Sequence, residues 1–213
     1  MPILKSEKVS AYSHGILIPV MTAGAVSLAI LAWGNLKLQI FLIIYGLSTI
    51  TLFTASFLYH AQKKSANERT VWRKLDRSAI FILIAGTSTP LSFFYLDGTI
   101  MKPVLITQWL LVFSGIAVIF FVNVPRKIST IIYLTMGTAC SIPILLSIQV
   151  IPLSILLLLV SGGLFYTAGA VVYAVKKPNL RIGFHELFHM FVIAGAVFHM
   201  VMIISGVTIY LHA

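Results

Sequence analysis

Pro103–Val122, with the sequence PVLITQWLLVFSGIAVIFFV, is a run of 20 residues that contains no charged side chain. About 20 apolar residues in an α-helix cross the hydrocarbon core of a bilayer, which is about 30 Å thick. A helix can cross lipid because it satisfies its backbone hydrogen bonds internally. The run therefore predicts a transmembrane helix.

Seven apolar runs follow one another along the chain. They cover approximately residues 15–33, 38–60, 78–97, 103–122, 128–148, 152–175 and 183–210. The connectors are short and contain turn residues, such as Gly34-Asn35 and Asp97-Gly98. We expect an all-α integral membrane protein, a seven-transmembrane helix bundle that occupies residues 1–213 as a single membrane domain.

The composition supports this fold class. Hydrophobic residues make up 59% of the chain and charged residues only 9%, whereas soluble domains are about 25% charged. The mean hydropathy of +1.02 excludes a water-soluble domain and a disordered chain. A single cysteine, Cys140, excludes a disulfide within the chain.

The basic residues predict the orientation. With seven spans, the N-terminus and the second, fourth and sixth loops share one side of the membrane. That side carries Lys5, Lys8, Lys63, Lys64, Arg69, Arg73, Lys74, Arg77, Arg126, Lys127, Lys176, Lys177 and Arg181, and the other side carries Lys37 and Lys102. The positive-inside rule then puts the N-terminus in the cytoplasm and the C-terminus outside. We expect a multi-pass protein of the cell membrane whose net charge of +10 favours anionic lipids as partners. Nucleic acid is not expected as a partner, because no basic domain exists apart from the membrane loops.

Five polar residues are predicted at one depth near the cytoplasmic side. Ser56 and His60 lie at the end of the second span, Asp76 lies at the start of the third, and His185 and His189 lie in the first turns of the seventh. Two histidines four residues apart share a helix face and can bind one metal. Three histidines with an open fourth position are typical of a catalytic zinc site, in which an aspartate can orient a water molecule.

Each of these residues, taken alone, also has a structural alternative. His60 can be an interfacial histidine, and Ser56 can bond to a carbonyl four residues earlier. Asp76 can cap the third span or pair with Arg73 or Arg77. The coincidence of five such residues at one depth favours a site.

The remaining histidines have other expected positions. His199 lies ten residues beyond His189, about 15 Å deeper, and is expected to line a cavity rather than bind the metal. His14 and His212 lie near span ends and are expected at the membrane interface.

A protease motif overlaps the seventh span. Residues 185–189, HELFH, match H-E-x-x-H, and residues 96–98, LDG, complete a likeness to intramembrane metalloproteases. The topology argues against a protease, because Asp97 is predicted on the outer side of the membrane. The role of Glu186 stays open, with an interfacial pair to Arg181 or a nearby lysine as the alternative.

Three motifs together carry a family resemblance. They are SFLYH at residues 56–60, KLDRS at 74–78, and HELFH at 185–189 with His199 after it. In these motifs, and in span number and loop length, the chain resembles the hemolysin III family, and more distantly the progestin and adipoQ receptors and the alkaline ceramidases.

The resemblance implies a zinc ion held by His60, His185 and His189. It further implies that Asp76 contacts a water on that zinc and that Ser56 lies close by. A zinc-dependent membrane hydrolase is the leading interpretation, with Asp76 and Ser56 as catalytic residues. Its expected substrate is a lipid amide or ester in the cytoplasmic leaflet, as for the ceramidases.

Two other interpretations remain open. One is a non-catalytic, zinc-stabilised sensor or regulator of membrane state, which a closed four-ligand site would favour. The other is a pore-forming hemolysin, as the family name suggests. The sequence gives the pore little support, because no long amphipathic segment is available for later insertion.

Overall fold

The computed structural model describes residues 3–4, 7–65, 68, 70–178 and 182–212. Within these residues the chain forms seven long helices and no strand. They are α1 (Lys8–Leu31), α2 (Leu36–Gln62), α3 (Val71–Tyr95), α4 (Gly98–Phe121), α5 (Arg126–Leu145), α6 (Leu153–Val175) and α7 (Phe184–His212). All seven are long and apolar enough to cross a membrane, which confirms the predicted fold class.

Two helices begin earlier than the apolar runs indicate. α1 begins at Lys8 rather than near residue 15, and α3 begins at Val71 rather than near residue 78. Their first turns carry charged residues, so hydropathy does not detect them. The Thr70 side chain caps α3 by accepting a hydrogen bond from the Arg73 N–H. These early turns carry His14 and Asp76, which belong to the candidate site described below.

The core lies between α1, α2, α3, α6 and α7. The most extensive contacts join α2 to α3, α6 to α7 and α1 to α2, while α4 and α5 pack mainly against α3. Close helix contacts depend on small residues, as is typical in membranes. A Cβ at Gly86 of α3 would collide with Ser48 of α2, so this crossing requires glycine.

Seven helix termini meet at one end of the bundle, which we call the basic end. The contacts that show this are Glu7 to Lys63, Lys74 to the Phe120 carbonyl, Arg77 to the Val124 carbonyl, and Arg126 over the Tyr173 and Phe184 rings. The basic residues predicted for the cytoplasmic side belong to this end, although Lys5, Arg69 and Arg181 lie outside the described residues. The positive-inside rule makes this the cytoplasmic end.

Candidate metal centre

Three histidine rings converge at the basic end. His60 lies in the last turn of α2, and His185 and His189 lie in the first two turns of α7. The Nε2 atom of His185 is 3.3 Å from Nε2 of His60 and 3.1 Å from Nε2 of His189. One ring nitrogen from each of the three lies within 4.8 Å of the others, so the group could hold a metal ion.

The hydrogen bonds of the rings fit this use. His60 Nδ1 lies 2.7 Å from a Glu7 carboxylate oxygen, which can only accept. When the His60 ring is neutral, its proton is therefore on Nδ1, and its Nε2 presents a bare lone pair to the other rings. His189 Nδ1 shares a 2.8 Å hydrogen bond with His14 Nε2, and when His189 donates, its Nε2 is bare as well. The Nε2 atom of His185 carries at most one hydrogen, so it can donate to only one of the two, His60 Nε2 or His189 Nε2.

A cation between the rings would satisfy all three lone pairs. Zinc binds imidazole nitrogen at about 2.0–2.1 Å, so two nitrogens in a tetrahedral site lie roughly 3.3 Å apart. The observed separations of 3.1 and 3.3 Å are close to that value. The residues therefore fit a metal ion, while the identity of their ligand remains a prediction.

Glu7 is a residue that the sequence analysis missed. The Glu7 side chain is only 11% exposed, and its carboxylate bridges His60 and Lys63, the latter at 2.6 Å. Burial alone would raise the pKa of Glu7, but the hydrogen bonds from His60 and Lys63 outweigh it and lower the pKa to about 2. The carboxylate is thus ionised and fixes the tautomer of a candidate ligand.

The expectation that His14 lies at the interface is wrong. Its side chain is 3% exposed, because α1 begins earlier than predicted and places His14 well inside the bundle. A sequence signal existed: Glu7, Ser10, Ala11 and His14 follow the helical spacing of one buried face. His14 thus supports His189 as Glu7 supports His60.

The other histidines lie where the sequence predicts them. His199 is buried deeper in the bundle, where its Nε2 lies 3.3 Å from the Leu159 carbonyl oxygen. Its ring occupies the space where Gly162 has no side chain. His212 is exposed at the opposite end of α7.

Asp76 and Ser56 lie beside the histidines. Asp76 is inside α3 rather than at its cap, and it lines the same cavity as Ser56, His185 and His189. No Lys or Arg nitrogen of the described residues lies within 4 Å of its carboxylate, so the ion-pair alternative does not hold. The structure therefore brings all five predicted site residues together, and their catalytic roles remain predictions.

A cavity of about 430 Å³ adjoins this cluster. Its lining includes Ser56, Asp76, His185 and His189 at the basic end and His199 at depth. The cavity also reaches three side chains on the outer surface of α5 and α6: Ile142, Val160 and Leu164, which are 50%, 46% and 64% exposed. The cavity thus extends from the candidate metal centre to the lipid-facing surface between α5 and α6.

The protease alternative fails on position. Asp97 caps α4 by accepting from the Thr99 and Ile100 N–H groups, at the end of the bundle opposite the histidines. The Glu186 carboxylate folds back against Gly183 at the start of α7, where a negative charge is favourable. Its expected partner, Arg181, lies outside the described residues.

Glu7→Gln tests the support of His60. The amide keeps the shape of the side chain but removes the charge that holds the His60 proton on Nδ1. We expect the zinc affinity to fall about 10–100-fold, the usual cost of losing such a support. Competition with a chromophoric chelator measures this change. Glu68→Gln is the matched control, because Glu68 accepts an exposed backbone hydrogen bond in the α2–α3 loop. Equal affinities in the two variants would contradict a role for Glu7.

Comparison with known proteins agrees with the fold. Residues 3–200 match the sequence model of the family described as "Haemolysin-III related". The chain is 34% identical to "Hemolysin-3 homolog" of Bacillus subtilis (strain 168), covering 91% of this chain and 90% of that protein. It is 31% identical to "Hemolysin-3" of Bacillus cereus, covering 91% of this chain and 88% of that protein. A match over most of the chain, with seven apolar helices, shows that this multi-pass membrane protein belongs to the hemolysin III family.

Proposed function

We propose that this protein is a zinc-dependent hydrolase of the cell membrane that cleaves a lipid amide or ester in the cytoplasmic leaflet. The observation that carries the proposal is the cavity that joins His185, His189 and Asp76 to the lipid-facing surface between α5 and α6. A substrate dissolved in the bilayer can reach the polar end of such a cavity without crossing water.

The donor set favours zinc with an open position. Three imidazole nitrogens are the ligand set of catalytic zinc sites, which leave the fourth position to water or substrate. When bound, the ion supplies activation of water and polarisation of a carbonyl group.

The remaining chemistry belongs to side chains that line the cavity. Asp76 orients the attacking water and accepts its proton as a new C–O bond forms at the carbonyl carbon. The C–N or C–O bond to the leaving group then breaks, and Asp76 returns the proton to the departing amine or alcohol. Ser56, beside Asp76, donates a hydrogen bond to the carboxylate or to the oxyanion. The largely apolar remainder of the cavity holds an acyl chain.

The direct test combines metal analysis with a hydrolysis assay. We expect about one zinc per chain in purified protein, and none in the variant with His60, His185 and His189 all changed to alanine. In liposomes that contain fluorescent lipid amides and esters, only the zinc-loaded wild-type protein should release product. Zinc-loaded protein that releases nothing from any of these lipids would contradict the proposal.

Gly163→Phe tests entry from the bilayer. Gly163 lines the cavity on α6, and open space lies where its side chain would be. A phenyl ring there should obstruct the opening, raising KM for a lipid substrate at least several-fold, while zinc content stays unchanged. Leu157→Phe is the control, because Leu157 is an exposed α6 residue outside the cavity. Equal kinetics for the two variants would argue against lateral entry.

A structural role for zinc is the second candidate. The histidine cluster and its supports connect α1, α2 and α7, because Glu7 and His14 bond to His60 and His189. A metal at this position would hold three helices together whether or not hydrolysis occurs. Zinc-dependent stability without any lipid turnover would favour this alternative.

A further inference from the structure

A second cavity, of about 540 Å³, opens at the basic end between the start of α3 and the α4–α5 connection. Four cationic side chains line it: Arg73, Lys74, Arg77 and Arg126. Arg77 also lines the cavity beside the histidines, so the two cavities are neighbours. We call this second cavity the basic pocket.

The four cations have no carboxylate partner. The described residues include all five acidic residues of the chain, and none places a carboxylate oxygen within 4 Å of these side chains. Glu7 is paired with His60 and Lys63. Asp76, the only acid on α3, lines the cavity beside the histidines instead.

Neighbouring groups hold three of the four cations in place. Lys74 donates to the Phe120 carbonyl and Arg77 to the Val124 carbonyl, which leaves further donors on each side chain. The Arg126 guanidinium lies over the Tyr173 and Phe184 rings, about 5–6 Å from their centroids. Its Nε is buried and has no hydrogen-bond partner among the described residues. The pocket thus has positive charge and unused N–H groups in fixed positions.

From this arrangement we propose that the basic pocket binds a phosphate group, either of an anionic lipid headgroup or of free phosphate. Guanidinium groups match phosphate oxygens in two-point hydrogen bonds. The first turn of α5 begins at Arg126, and a helix N-terminus also favours an anion. The cytoplasmic leaflet supplies anionic lipids at this depth. Topology alone requires basic residues in the loops, but it does not require four of them to line one concave surface.

The test measures thermal unfolding of the full chain in detergent as a ligand is added. The three probes are inorganic phosphate, dioctanoyl phosphatidylglycerol, and zwitterionic dioctanoyl phosphatidylcholine as the reference. We expect the phosphatidylglycerol, the phosphate or both to raise the unfolding temperature of the wild-type protein above the effect of the reference lipid. Protection by phosphate alone identifies a free-anion site, whereas protection only by the phosphatidylglycerol identifies a headgroup site.

Two double variants make the test specific. Arg73→Gln with Arg126→Gln should weaken the apparent affinity about 100-fold, roughly tenfold for each charged hydrogen-bond donor removed. Lys8→Gln with Lys127→Gln removes the same charge from exposed positions at the same end, outside the pocket, and should leave affinity unchanged.

Three results would overturn the proposal. The first is no response of the wild-type protein to either anion, and the second is equal weakening in both double variants. The third is wild-type affinity in Arg73→Gln alone. This single variant decides the test if the arginine double variant unfolds without ligand, because no hydrogen bond from the Arg73 side chain is found among the described residues. The inference does not rest on the proposed hydrolase function.

Discussion

His189→Ala is expected to remove the bound zinc and to lower the unfolding temperature by on the order of 10 °C. Zinc at about 1,000 times its Kd adds about 4 kcal/mol to the folded state, which the variant loses. For a chain of this size, about 1 kcal/mol corresponds to roughly 2–4 °C. Elemental analysis and thermal unfolding of the purified protein measure the two effects.

His212→Ala is the matched control for that substitution. His212 lies on the same helix but is exposed at the opposite end, so its removal should change neither zinc content nor stability. Chelator treatment separates metal loss from lost packing, because it should lower the stability of the wild-type protein and leave His189→Ala nearly unchanged. If His189→Ala retains zinc, or if both variants behave alike, the candidate metal centre is wrong.

Asp76→Asn should lower kcat/KM for lipid hydrolysis about 10²–10⁴-fold, the usual contribution of a general base. Asparagine has nearly the same shape as aspartate but cannot accept a proton from water. The variant should still bind about one zinc per chain, because three histidines hold the ion. Product release from fluorescent lipids, measured beside zinc content, checks both expectations.

Asp97→Asn provides the comparison. It removes the other helix-associated aspartate, which caps α4 far from the histidines, and should leave hydrolysis unchanged. Undiminished turnover in Asp76→Asn would exclude Asp76 as the base. Loss of zinc from that variant would show that Asp76 is itself a ligand, and a closed four-ligand site would then favour the structural role.

Hydropathy was sufficient to predict the helix number and the fold class, since each span must present about 20 apolar residues to lipid. The same signal misplaced the starts of α1 and α3. The first turns of these helices lie beyond the apolar run and carry charges that a hydropathy window counts as loop. The buried face at the start of α1, which includes Ser10 and His14, follows a helical spacing, but its residues are largely polar, so a hydropathy window does not detect it.

It was predictable that the candidate site residues converge. The spacing of the two histidines on α7 is local, and the depth of each site residue follows from the predicted topology. His185 and His189 share a helix face, and His60 and Asp76 lie at the same end of their spans. The supporting bonds were not predictable in this way. Glu7 lies 53 residues from His60 and His14 lies 175 residues from His189, so no local pattern connects either pair.

The histidine cluster and its supports, Glu7 and His14, belong to the first, second and last helices. None of these residues lies on the four helices between α2 and α7. A membrane chain is synthesised from its N-terminus. Four further spans are therefore inserted after His60 before α7 can pack beside it. A nascent chain that stops before α7 therefore lacks two of the three ring nitrogens. If the centre binds zinc as proposed, zinc incorporation follows synthesis of the last helix, and metal content then reports whether the chain has completed its assembly in the bilayer.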